Sequence, residues 1–115
     1  MAETREAWRP RFIKIGVNRG PLDELDRKLV DLLNERAHCA REIGRLKRGT
    51  NQPVYEPDRE KVIHENVHRA NRGPLADRDL TTIYERLIDV MRKIQKEESV
   101  LKAKADGSDT ELEAE

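Results

Sequence analysis

Arg36 and Lys47 are cations placed where a buried helix face should carry leucines. From Pro21 to Lys47 the apolar residues Leu22, Leu25, Leu29, Leu32, Leu33, Ala40 and Ile43 recur at the i, i+3, i+4, i+7 spacing of an amphipathic helix. At about 100° per residue, Lys47 points the same way as Leu29, and Arg36 lies only about 20° off that line. Arg45 and Arg48 fall off the stripe and read as solvated charges. A cation within a buried stripe is costly without an anionic partner. No carboxylate stands at matching positions, so the partner lies outside this helix: a ligand, a residue of another helix, or solvent reached by snorkelling to the rim. Two further groups join the set. Arg59 shares a helix face with Val62, Ile63 and Ala70 and is followed by Glu60, while Gln95 lies beside Met91 and Ile94. Three cations, one carboxylate and one neutral amide facing inward from three elements suit a small, doubly anionic ligand with further hydrogen-bonding oxygens. Read singly, Arg59 is equally a local partner of Glu56, and Gln95 an ordinary helix residue.

Other chemistries find little support. The 23 basic and 23 acidic residues cancel, which disfavours a nucleic-acid module. The lone Cys39 offers neither an internal disulfide nor zinc spacing. His64 and His68 stand at i, i+4, but without the zinc-protease pattern, and read as a solvated face. No Gly-rich phosphate loop or Ser-His-Asp set is seen, so neither metal nor cofactor is expected. No apolar stretch is long enough for a signal h-region or a membrane span, and a cytoplasmic protein is expected.

The elements that must position these residues are helical. The 115 residues suit one small domain, and an aromatic share of 3% favours aliphatic helix-on-helix packing. Residues 1–18 read as an N-terminal extension, with Phe12 to Val17 alternating like a short extended arm. Gly20-Pro21 opens the first helix, which runs roughly 40 Å to about Arg48 and stops at Gly49-Thr50-Asn51. After a loop at Gln52-Pro53-Val54-Tyr55, a second helix starts around Glu56-Pro57-Asp58 and ends at Asn71-Arg72-Gly73-Pro74. A third begins near Asp77, read as its N-cap, carries Leu80 to Ile94 at helical spacing, and frays beyond Glu98. Residues 19–100 thus form the helical domain, and 101–115 an acidic tail expected to be disordered. The long stripe has too few partners within one chain, so an all-α homodimer with intertwined long helices is expected.

The order Leu25-Asp26-x-x-Leu29, Leu32-Leu33-x-x-Arg36, Ile43-x-x-x-Lys47, Pro53-Val54 and Asp58-Arg59-Glu60 resembles the all-helical chorismate mutase class from Arg19 to about Gln95. The resemblance implies three helices per subunit, an intertwined dimer, and rearrangement of chorismate to prephenate on the route to phenylalanine and tyrosine. It also implies roles. Arg36 and Arg59 would bind substrate carboxylates, Lys47 a carboxylate and the ether oxygen, Glu60 the ring hydroxyl, and Gln95 the ether oxygen from the other side. Arg19 would reach into the partner subunit's site; 17 positions before Arg36 on one helix axis is about 25 Å, too far to serve its own chain. The chain departs from the family pattern at Gly20-Pro21, at Glu56 in place of Asp, and at Met91 in place of Ser. Two alternatives stand beside it: an isochorismate pyruvate lyase, which shares the fold and the cationic pocket, and a non-catalytic helical dimer that regulates an aromatic-pathway enzyme such as a synthase, against which the inward charges argue.

Overall fold

The helical periodicity of the sequence is realised as three helices, α1 (Ile15–Lys47), α2 (Pro57–Ala70) and α3 (Asp77–Ser108). The structure is a computed structural model that describes residues 15–108, and no strand occurs among the described residues. The class is all-α, as expected. Among the described residues no helix is long and apolar enough to cross a membrane.

Helix α1 begins earlier than the sequence signals suggest. Gly20-Pro21 lies inside it rather than at its start, and Ile15 to Asn18, expected in an extension, form its first turn. Proline in a helix interior removes one backbone hydrogen bond and normally also forces the preceding residue out of the α region. Gly20 has no Cβ to meet the proline ring, which lessens the second penalty, and the helix continues through Pro21. The expected arm at Phe12 to Lys14 lies outside the described residues. At its other end α1 stops as expected. Gly49 takes φ 72°, the left-handed conformation that terminates helices. The Thr50 amide then donates to the Lys47 carbonyl at 3.1 Å, and the Thr50 hydroxyl to the same oxygen at 2.7 Å.

Helix α2 has Pro57 in its first turn and Glu56 at the N-cap, yet the Glu56 side chain makes no capping bond. That side chain is engaged elsewhere. Helix α3 starts at Asp77, with the Ala76 carbonyl accepting from Asp79 and Leu80. Asp77 is therefore in the first turn rather than at the cap, and its carboxylate accepts from Asn71 Nδ2 at 2.6 Å. The helix runs on to Ser108, past the expected end near Glu98 and into the segment expected to be disordered. Lysines, glutamates, alanines and Leu101 between Lys96 and Ala105 are strong helix formers, and Gly107 is the first breaker. Residues 109–115 lie outside the described residues.

The chain divides into two units, Met1–Arg36 and Ala37–Glu115. In the first, the apolar stripe of α1 is bare: Leu22, Leu25, Leu29, Leu32 and Leu33 are all exposed. In the second, α2 packs against α3, and the buried hydrophobic residues are Ala40, Ile88 and Met91. Gly44 is also buried, and a Cβ built on it would meet the Gln95 carbonyl oxygen at 2.6 Å and Gln95 Cα at 2.9 Å. Only glycine allows the two backbones this close. Arg48, expected to be solvated, is instead largely buried. Its Nη2 binds the Glu98 carboxylate and its Nε donates to the Glu98 carbonyl at 3.2 Å. Arg41 approaches the same carboxylate at 3.6 Å. The partner lies 50 positions away, beyond the reach of any helical-wheel argument.

Candidate active site

Lys47 is the single buried charged residue of the described chain, with 8% of its surface exposed. The last turn of α1 aims it at the loop before α2 and at α3. Its ammonium donates to the Pro53 carbonyl at 2.8 Å, to Glu56 Oε2 at 2.5 Å and to Gln95 Oε1 at 3.2 Å. An ammonium has three donors, and all three are used. The anionic partner that α1 lacks is Glu56, which explains why that residue leaves its own helix uncapped.

The Gln95 amide is oriented by this contact. Because Lys47 can only donate, the side-chain oxygen must face it, which leaves the Gln95 NH₂ as a donor directed away from the cation. Gly44 fixes the distance: its missing side chain lets α3 bring Gln95 against α1. A glycine in a helix interior costs about 1 kcal/mol relative to alanine. That unexplained cost was the sequence signal that could have identified Gly44 as part of the site's scaffold.

Glu60 lies in the first turn of α2, and the structure pairs it with Arg92, which the sequence reading did not single out. Arg92 donates from Nε at 3.1 Å and from Nη2 at 2.7 Å, both to Glu60 Oε2. Its Nη1 reaches Asp89 at 3.2 Å, and its guanidinium carbon lies 5.0 Å from the centre of the Tyr55 ring. The hydrogen bonds to Glu60, which outweigh desolvation, and the charges of Glu60 and Asp89 hold the Arg92 pKa above its already high value. Arg92 follows Met91 directly, so on a helical wheel it reads as an ordinary flank of the stripe.

Arg59 is exposed on α2. Met91 is a core side chain with 6% exposure, not a polar contact. Arg36 is half-buried and Arg19 exposed, both in the first unit on α1, about 25 Å apart by helical rise. The histidine pair is only in part the solvated face the spacing suggested, because His68 is exposed and His64 is not. His64 is half-buried, and its Nδ1 is buried with no hydrogen-bond partner among the described residues, while His68 Nε2 lies 2.6 Å from Thr81 Oγ1 on α3.

A helical fold that buries one ammonium between a carboxylate and an oriented amide, with no nucleophile among those residues, is an arrangement suited to acting through fixed charge. Residues 18–96 match the family described as chorismate mutase type II, and the chain belongs to that family. It is 34% identical over 82 residues to a bifunctional chorismate mutase/prephenate dehydratase of Aquifex aeolicus, a match covering 68% of this chain and 23% of that protein. A bifunctional chorismate mutase/prephenate dehydratase of Neisseria gonorrhoeae is 39% identical over 67 residues, covering 58% of this chain and 18% of that protein. A chorismate mutase of Methanocaldococcus jannaschii is 27% identical over 85 residues, covering 73% of this chain and 86% of that protein. The chain thus spans about a fifth of the length of the bifunctional relatives.

Proposed function

We propose that this chain is a chorismate mutase, converting chorismate to prephenate on the route to phenylalanine and tyrosine. The observation that carries the reading is the buried Lys47 ammonium with Gln95 held beside it, its amide NH₂ left to donate. The reaction is intramolecular: the ether C–O bond breaks as a C–C bond forms, and neither a nucleophile nor a proton transfer is required. Catalysis must then come from holding the compact conformer and from stabilising charge on the departing ether oxygen. Lys47 and Gln95 are the two donors for that oxygen. Of the three Lys47 hydrogen bonds, the longest, to Gln95, is the one whose donor a substrate oxygen would share. Glu60 receives the ring hydroxyl, Arg36 and Arg59 bind carboxylates, and Glu56 keeps the ammonium in place.

The site belongs to a homodimer in this reading. The bare leucine stripe of the first unit is the apolar surface that a second copy of α1 would cover. Arg19, about 25 Å along the helix from Arg36, then serves the partner's site. The test is to incubate the purified chain with chorismate and, separately, with isochorismate, and to identify the products. Prephenate from the first is the expected result. Pyruvate released from isochorismate, without prephenate from chorismate, would assign the site to a lyase instead.

A further inference from the structure

Glu60 is the one carboxylate that this reading brings to a substrate hydroxyl, and that creates an electrostatic problem. The substrate is a dianion, so a bare carboxylate at the site repels it. We propose that Arg92 is a positioning residue for substrate binding: it neutralises Glu60 and fixes its carboxylate so that one oxygen is left for the ring hydroxyl. The proposal rests on the chorismate mutase reading above.

The geometry is selective. Both Arg92 hydrogen bonds, from Nε and Nη2, go to Glu60 Oε2, and among the described residues Oε1 accepts none. A guanidinium gripping both oxygens would have occupied the carboxylate; this one occupies half of it. Arg92 is itself restrained from two other directions, by Asp89 one turn earlier on α3 and by the Tyr55 ring in the loop before α2. Loop, α2 and α3 therefore converge on one guanidinium. The competing explanation is a simple tie between α2 and α3. With side-chain exposures of 32% for Arg92 and 22% for Glu60, such a tie contributes little to stability. A device whose worth is small as a tie but whose orientation is fixed on three sides is better explained by what it does to Glu60.

The two explanations separate in a rescue experiment on the full chain. Steady-state kinetics with chorismate are measured for wild type, Arg92→Met, Glu60→Gln and the double variant, with melting followed by circular dichroism. Arg92→Met is expected to lower kcat/KM by roughly tenfold or more, chiefly through a higher KM. Adding Glu60→Gln should then recover activity, because a neutral amide still accepts a hydroxyl proton without repelling the dianion. A double variant no better than Arg92→Met, or an Arg92→Met with wild-type KM, would overturn the proposal. Should Arg92→Met melt below the assay temperature, Arg92→Lys decides: it keeps the charge and is expected to raise KM only several-fold, and an unchanged KM overturns the proposal equally. A wild-type chain with no chorismate turnover would remove the underlying reading and this proposal with it.

Discussion

At the scale of single residues, the Lys47 ammonium and the Gln95 amide divide one task in the proposed reaction. Lys47 supplies charge and Gln95 supplies a neutral donor whose orientation the lysine itself dictates. This gives a sharp expectation for Gln95→Glu. A carboxylate there can donate only when protonated, and when ionised it faces the negative charge developing on the ether oxygen. The variant should lose most kcat/KM near neutral pH and regain much of it toward acid, whereas wild type stays flat over the same range. Parallel pH profiles would show that Gln95 does not touch the breaking bond. Lys47 was legible from spacing alone, because a cation on an apolar stripe needs an explanation. Glu56 as its in-chain partner was not, since a glutamate before a proline looks like the start of a helix and nothing more. Arg92 and Arg48 were invisible for a related reason: their partners, Glu60 and Glu98, are distant in sequence, and only the packing of α2 and the end of α1 against α3 brings them together.

The elements follow from local rules wherever those rules agree with one another. The stop of α1 at Gly49, the loop from 52 to 55 and the ends of α2 were readable because glycine, proline and the periodicity all pointed the same way. The start of α1 was misread because Gly20-Pro21 is a start signal in most contexts, while here the missing Cβ of Gly20 makes it tolerable within the helix. The end of α3 lies past the expected fraying at Glu98 because the run from Lys96 to Ala105 is helix-forming even though the residues beyond it are acidic. Gly44 is the element-scale counterpart of Lys47, and Gly44→Ala tests it. The added methyl would stand 2.6 Å from the Gln95 carbonyl oxygen, so α1 and α3 must move apart. Overpacking of this kind costs about 1–3 kcal/mol, partly offset by the better helix propensity of alanine. Activity should suffer more than stability, by roughly tenfold or more in kcat/KM, since a small displacement of Gln95 misaligns the donor. A variant with a lowered melting temperature but wild-type kcat/KM would show that the close approach serves packing alone.

For the whole molecule, the exposed leucines of the first unit and the charged site of the second belong to one account if two chains share their helices. Sedimentation at micromolar concentration should give a dimer; a monomer that is fully helical and melts cooperatively would contradict this. The all-α class was legible in composition and period, but the partner that covers the stripe is outside any single chain's sequence. The central claim is that a buried ammonium at Lys47 drives the rearrangement of chorismate, and turnover by wild type and Lys47→Met compared side by side tests it most directly. The methionine keeps the length and volume of the lysine but removes its charge, leaving the partly exposed Glu56 to rehydrate. Wild type should form prephenate, and Lys47→Met should retain its helical spectrum while losing roughly 10²–10³ in kcat/KM, the scale of removing one charge-stabilising donor. A folded Lys47→Met that forms prephenate as fast as wild type, or a wild type that forms none, would contradict the account.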